Sequence, residues 1–445
     1  MAGLNITEKN VKRNLFQGSI VPGEEAVVKV GCLLTHDVCG PPTIGIFHKE
    51  YGRNAKVWDR ERVVIIPDHY IFTKDEKAAR NVDVLREFAK EQDLPFFYDK
   101  DSPAYAGVCH AALPELGHVI PGEIIIGTDS HTTTHGALGT LSMGVGNTTG
   151  ALVMGSGLYI MNTPESMKFR FDNKFPDYVM GKDVILRIIG DIGVDGAEFK
   201  SMEFCGQGIS RLSLEERMSV CNMAIEAGGN GVIAPDKKTK EYVLKRAALL
   251  SEPVLDRLIE ELQSDPDARY LSEHSYDAVT LEPVVAMPHS PENIARVLDK
   301  QGLKLDSAYI GSCTGGKAED FYAAAKILHA AGTKVKIPLY IVPATWNVVR
   351  FIEKQTIDGK TLKSIFEDAG ANMDSFYEPS CAACLGGPVD TYGRINNEPD
   401  HVRVSTTNRN FPNRMGSGNV ILASPLTAAA SALRGVLTDP REYMR

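Results

Sequence analysis

The sequence predicts an α/β protein of three domains, on three observations. Apolar runs alternate with amphipathic stretches along the chain, the pattern of strands followed by covering helices. The chain has 445 residues, three times the usual ~150 per domain. Its 40 glycines are about 9% of the residues, above the ~7% norm, which suits many tight turns between strand and helix. Hydrophobic residues at 43% and charged residues at 24% exclude a disordered chain. A net charge of −9 argues against a nucleic-acid or anionic-membrane binder. The N-terminus, MAGLNITEKNVKRNLFQG, has neither the apolar core of a signal peptide nor the composition of a transit peptide. The uncharged stretch 132–164 carries seven glycines, so it reads as a buried segment and not a membrane span. Eight scattered cysteines suit a reducing compartment. A cytoplasmic protein is expected.

The strands are predicted at 62–67 (RVVIIP), 123–126 (EIII), 307–310 (SAYI), 338–342 (PLYIV) and 402–405 (VRVS). A capping box, Ser213 with Glu216, opens a helix that Gly228 ends. Ser290-Pro291 is expected to open a second helix closed by Gly302, and 318–331 a third closed by Gly332. Composition shifts near 162–164 and between 251 and 291 place the domains at 1–165, 166–288 and 289–445.

The residues immediately after these strands are chemically unusual. RVVIIP runs into Asp68-His69, EIII into Gly127-Thr128-Asp129-Ser130-His131, SAYI into Gly311-Ser312-Cys313, and VRVS into Thr406-Thr407-Asn408-Arg409-Asn410. Ligands of α/β sheets bind outside the carboxyl ends of strands, so four such clusters point to one crevice. Gly144, Gly146 and Gly150 do not make a dinucleotide fingerprint, because their spacing is wrong and no strand precedes them.

Cys381 and Cys384 form a C-x-x-C pair in PSCAACLGGP, and Cys313 lies in GSCTGG. Alone, a C-x-x-C pair serves zinc, redox and iron–sulfur sites alike. A structural zinc site wants a second pair, and the flanks do not read as a strand opening into a thioredoxin-type helix. Three thiolates in glycine-rich turns suit a [4Fe–4S] cluster with one iron lacking a thiolate, a Lewis acid and not an electron carrier. Cys32, Cys39, Cys109, Cys205 and Cys221 read as buried apolar residues.

Together GTDSHTTTHG, GSCTGG, PSCAACLGGP and STTNRNFPNRMGS resemble the aconitase superfamily, and within it the large subunits of isopropylmalate dehydratases, over essentially the whole chain. The resemblance implies three α/β/α domains around one [4Fe–4S] cluster, held by Cys313, Cys381 and Cys384. It implies that Asp68 and His69 protonate the departing hydroxyl, and that His110, Asp129 and His131 surround the open iron and its water. It implies that Glu226 belongs to the catalytic set, and that His36, Ser130, Asn222, Asn408, Arg409 and Arg414 contact substrate. Asn222 and Glu226 are spaced to share a helix face beside Met218, Cys221 and Ile225. The chain departs from many relatives at Gly315, Gly316 and Lys317, where they carry Asn and Arg.

The activity implied is a hydro-lyase moving a hydroxyl between adjacent carbons of 2- and 3-isopropylmalate, in leucine biosynthesis. Homoaconitate, citrate or a methylated malate are the alternatives, and a non-catalytic iron–sulfur or RNA-binding relative the remaining one. No base for the carbon-bound proton stands out. In the family a serine on a mobile fourth domain, often a separate small subunit, fills that role. The chain ends about ten residues after SALRG, so the expectation is a chain lacking that domain and inactive without a small subunit.

Overall fold

Three sheets, each flanked by helices, organise the computed structural model, which describes residues 3–247, 250–381 and 397–444. The first is parallel, in the order Val63–Ile65, Cys32–Thr35, Ile124–Gly127, Leu141–Gly144. Its three leading strands are buried at every residue, as expected where helices cover both faces of a parallel sheet. A small antiparallel sheet of Leu15–Gly18, Glu25–Lys29 and Leu158–Asn162 lies beside it in the chain.

The second sheet is also parallel, in the order Asn230–Val232, Ser201–Cys205, Ser166–Asp172, Ser272–Asp277. Phe169, Phe171 and Phe204 fill its buried face. The N-terminal helix Ile6–Asn14, capped by Asn5 and Glu8, docks on this unit. Leu4 N–H donates to Asp265 at 2.7 Å, and Thr7 meets the Ser201 hydroxyl at 2.6 Å.

The third sheet runs Ile294–Arg296, Val284–Ala286, Asn419–Leu422, Val402–Ser405, Ser307–Ile310, Leu339–Ile341. Its last four strands are parallel, and the first two join antiparallel at one edge. The change from second to third sheet therefore falls between Asp277 and Val284.

The expected strands occur at their positions, and the helix Ala318–Ala331 ends at Gly332 in the left-handed region. The helix expected after Ser290 is a correction. Ile294–Arg296 is an edge strand paired with Val284–Ala286, and only Val297–Lys300 is helical. Glu292 accepts the Val194 N–H at 3.1 Å, so tertiary contacts override the local signal. The 132–164 stretch is the end of the 3-10 segment Ser130–Leu138, short strands and a ten-residue helix, and no helix among the described residues is long and apolar enough to cross a membrane.

Candidate functional site

The carboxyl ends of the first and third sheets meet, and the polar clusters at the ends of their strands fill the meeting place. The strand Cys32–Thr35 delivers His36 and Asp37, Val63–Ile65 delivers Asp68 and His69, and Ile124–Gly127 delivers Asp129, Ser130 and His131. From the third sheet come Cys313, after Ser307–Ile310, and Asn408 and Arg409, after Val402–Ser405. The second domain contributes one helix end. Leu214–Asn222 is α-helical, but Met223–Ala227 tightens to 3-10 geometry before Gly228. The shared helix face expected for Asn222 and Glu226 therefore fails in detail: Asn222 turns to Cys313 and Glu226 to His131.

Asp37, which sequence reasoning passed over, builds the Asp68–His69 turn. Its carboxylate accepts the N–H groups of Asp68 at 2.8 Å, His69 at 3.0 Å, and Tyr70. Asp68 is fully buried, 2.6 Å from His69 Nδ1, and accepts the Cys109 N–H at 2.8 Å. Burial opposes its charge, but the His69 imidazolium and its hydrogen bond win, holding Asp68 down to about 2. His69 is correspondingly raised: burial opposes, and the Asp68 carboxylate outweighs it. The ligand-type atoms of His36, Asp37, Asp68 and His69 lie within 4.8 Å of one another. Asp37 is spent on three backbone donors and Asp68 on two partners, so the group reads as an acid–base cluster and not a cation site.

Asp129 is a hub for three histidines. It lies 2.6 Å from His110 Nε2, 3.5 Å from His131 Nδ1 and 3.6 Å from His36 Nε2, and accepts the His131 N–H at 2.8 Å. Against burial, His110 and then His131 and His36 hold its carboxyl well below the ordinary range. His131 bonds Glu226 at 3.0 Å and is raised to about 9: burial and Arg409 oppose, Asp129 and Glu226 prevail. Arg409 completes the chain, donating to Glu226 at 2.8 Å and to the Ser130 hydroxyl at 3.0 Å.

Cys313 is buried beside Cys381, with Val108, Ala111 and Ala344 around them. The amides of Asn222 and Asn408 donate to its sulfur at 3.2 and 3.5 Å. Contact with Cys381, against burial, together with the charges of His131 and His110, holds the Cys313 thiol well below its usual value. A soft, ionisable donor pair with amide support fits an iron–sulfur ligand set. Cys384 lies outside the described residues. The turn is tight: a Cβ on Gly315 would fall 2.3 Å from the Thr406 side chain, which explains glycine there. Behind it Lys182, fully buried and lowered to about 7 by burial and by Lys317, donates to the carbonyls of Thr406 and Thr407.

Arg414 lies five positions beyond Arg409 in the same motif. Its guanidinium lies over the Phe411 ring, and its buried Nε has no hydrogen-bond partner among the described residues. Cys32, Cys109 and Cys221 are buried as expected, whereas Cys39 and Cys205 are only partly buried, which corrects the expectation for those two. Cys109 borders Asp68, Asp129 and Cys313, and Cys39 contacts His36. Their positions beside His110 and His36 in the sequence were the available signal.

A model of the aconitase family (aconitate hydratase) matches residues 8–435. The chain belongs to the aconitase family. It is 51% identical to the 3-isopropylmalate dehydratase large subunit, chloroplastic, of Arabidopsis thaliana, over 100% of this chain and 87% of that protein. It is 43% identical to the 3-isopropylmalate dehydratase large subunit of Heliobacterium modesticaldum, with 99% of each chain covered. The protein of that name from Aquifex aeolicus is 41% identical over 100% of this chain and 98% of its own. Membership makes the chain an aconitase-type hydro-lyase of α/β fold and implies an iron–sulfur cluster.

Proposed function

We propose that this aconitase-family chain is the large subunit of a hydro-lyase that interconverts 2- and 3-isopropylmalate by loss and re-addition of water, in leucine biosynthesis. The observation that carries this reading is the 51% identity to a 3-isopropylmalate dehydratase large subunit along the entire chain. Cys313, Cys381 and Cys384 would hold one [4Fe–4S] cluster. When bound, it supplies a Lewis-acidic iron without a cysteine ligand.

The chain's own residues divide the remaining work. His69, kept protonated by Asp68, gives its proton to the departing hydroxyl from Nε2, since Nδ1 is engaged by Asp68 at 2.6 Å. Asp129 fixes His110 and His131 around the reacting end. Arg409, oriented by Glu226 and Ser130, offers its guanidinium fork to a substrate carboxylate. Arg409→Lys is expected to raise KM by ~10–100-fold, because an ammonium cannot reproduce a bidentate contact. Steady-state kinetics with the reconstituted enzyme checks it, and an unchanged KM removes Arg409 from substrate binding.

The carbon-bound proton needs a base. Asp68, Asp129 and Glu226 are each already committed to two hydrogen-bonding partners within the chain. That supports assigning the base to a separate small subunit, in keeping with the relatives' names. The test is to load the chain with iron and sulfide without air, then assay 2-isopropylmalate with and without a small subunit. Turnover should appear only with the partner. Full turnover by the chain alone would overturn the partner assignment. Turnover of citrate or homoaconitate in place of isopropylmalate would overturn the substrate, and stoichiometric zinc would overturn the cluster.

A further inference from the structure

His135 stands in the 3-10 segment Ser130–Leu138, four residues beyond His131, and is completely buried. Neither of its ring nitrogens has a hydrogen-bond partner among the described residues. A neutral imidazole carries one N–H and one nitrogen lone pair, and a charged one two N–H groups, so a buried, doubly orphaned ring calls for a partner. The ring nearest to it that shares this need is His110. The two centroids are 5.7 Å apart with planes at 48°, and His110 Nδ1 is itself buried with no partner among the described residues.

The hydrogen bond from His110 to Asp129 gives the pairing a purpose. Its Nε2 lies 2.6 Å from Asp129. That carboxylate is strongly held in its charged, acceptor-only form, so Nε2 must carry hydrogen. That leaves Nδ1 as the ring's other polar atom, which needs a donor or an acceptor opposite it. Burial and the neighbouring His110 keep His135 neutral, and a neutral imidazole offers one of each.

Resting on the dehydratase reading of this site, we infer that His135 is a positioning residue for His110: a single buried water links one of its ring nitrogens to His110 Nδ1, which fixes the ring while its Nε2–H stays on Asp129. Such a water needs two to four polar partners, and the unpartnered nitrogens of His135 and His110 supply two of them. His135 touches neither substrate nor cluster in this scheme and acts through His110 alone.

Two substitutions separate this from a packing role. His135→Leu keeps an apolar side chain of similar bulk and removes both polar atoms, whereas His135→Gln retains one donor and one acceptor. With the holoenzyme and small subunit, His135→Leu should lower kcat by ~10–100-fold, the usual cost of losing an outer partner of a functional histidine, with KM nearly unchanged. His135→Gln should recover most of that loss. In protein labelled with nitrogen-15 histidine, the His110 Nδ1 resonance should move in the leucine variant while those of His69 and His131 stay in place. If His135→Leu fails to fold, the wild-type spectrum still decides: His135 must be neutral at pH ~6.5, where a free imidazole is half charged, with His110 Nδ1 hydrogen-bonded. A charged His135, an unmoved His110 signal with unchanged kcat, or a glutamine variant as impaired as leucine would overturn the inference. Absence of isopropylmalate turnover in the wild type would instead strike the functional reading, leaving the His110 signal as the test of the pairing.

Discussion

Cys313→Ser should abolish the broad visible absorption of the anaerobically reconstituted protein and lower turnover by at least ~10³-fold, the scale of losing several kcal/mol of Lewis-acid assistance. The reason lies in how the sulfur is prepared. Its thiol is held low by Cys381, His131 and His110, and two amide donors at 3.2 and 3.5 Å point at it. These are conditions for a thiolate ready to bind iron. A serine hydroxyl is a far weaker acid and a hard donor, so the same surroundings cannot make it an equivalent ligand. The side chains are nearly isosteric, and the fold should persist, with far-ultraviolet circular dichroism unchanged. Cys381→Ser and Cys384→Ser should behave alike. Cys205→Ser, at the end of the strand Ser201–Cys205, is the control and should keep full absorption. Retention of iron and sulfide in Cys313→Ser would remove this cysteine from the cluster.

The strands that carry the site were legible because a strand buried on both faces is a short continuous apolar run. RVVIIP and EIII are short and rich in Val and Ile, which favours strands, and charged or polar residues directly after them are conspicuous. The same logic placed Cys313 and Arg409 at the same crevice as Asp129, which the Arg409–Ser130 contact of 3.0 Å bears out. The failures have physical causes too. PENIARV satisfies a helix start by its Pro and Glu, yet its backbone donors are claimed by Val284–Ala286. Asn222 and Glu226 were found by motif, but the switch from α to 3-10 geometry that separates their directions has no local signature beyond Gly228. Asp37 acts on backbone N–H groups 31 to 33 positions away, and no local pattern announces such a role. His135 pairs with His110 across 25 positions, and only burial and unmet hydrogen bonding reveal it.

The Asp68–His69 pair should show its role most clearly in a pH profile. His69→Ala is expected to lower kcat by ~10²–10⁴-fold with little change in KM, as for a proton donor acting in the transition state. Asp68→Asn should lower kcat too, and also move the profile. Its direction is set by both groups. Asp68 is held down to about 2, so it is charged throughout the working range, and His69 is raised by it. Activity that needs the protonated ring persists above the ordinary histidine value of ~6.5 and falls as pH rises through the raised one. Asparagine removes the charge but keeps the shape. The alkaline limb should therefore move to lower pH, toward ~6.5 or below, and the amide no longer selects the Nδ1–H tautomer. Stability depends on the same pair. The contribution of His69 is complete below ~6.5 and lost as pH rises through its folded value, and that of Asp68 is complete above ~3.9 and lost as pH falls toward 2. The pair thus stabilises the fold fully only between about pH 4 and 6.5, and Asp68→Asn should lower the thermal midpoint most within that window. An Asp68→Asn enzyme whose alkaline limb stays in place would show that the proton given to the hydroxyl does not come from His69.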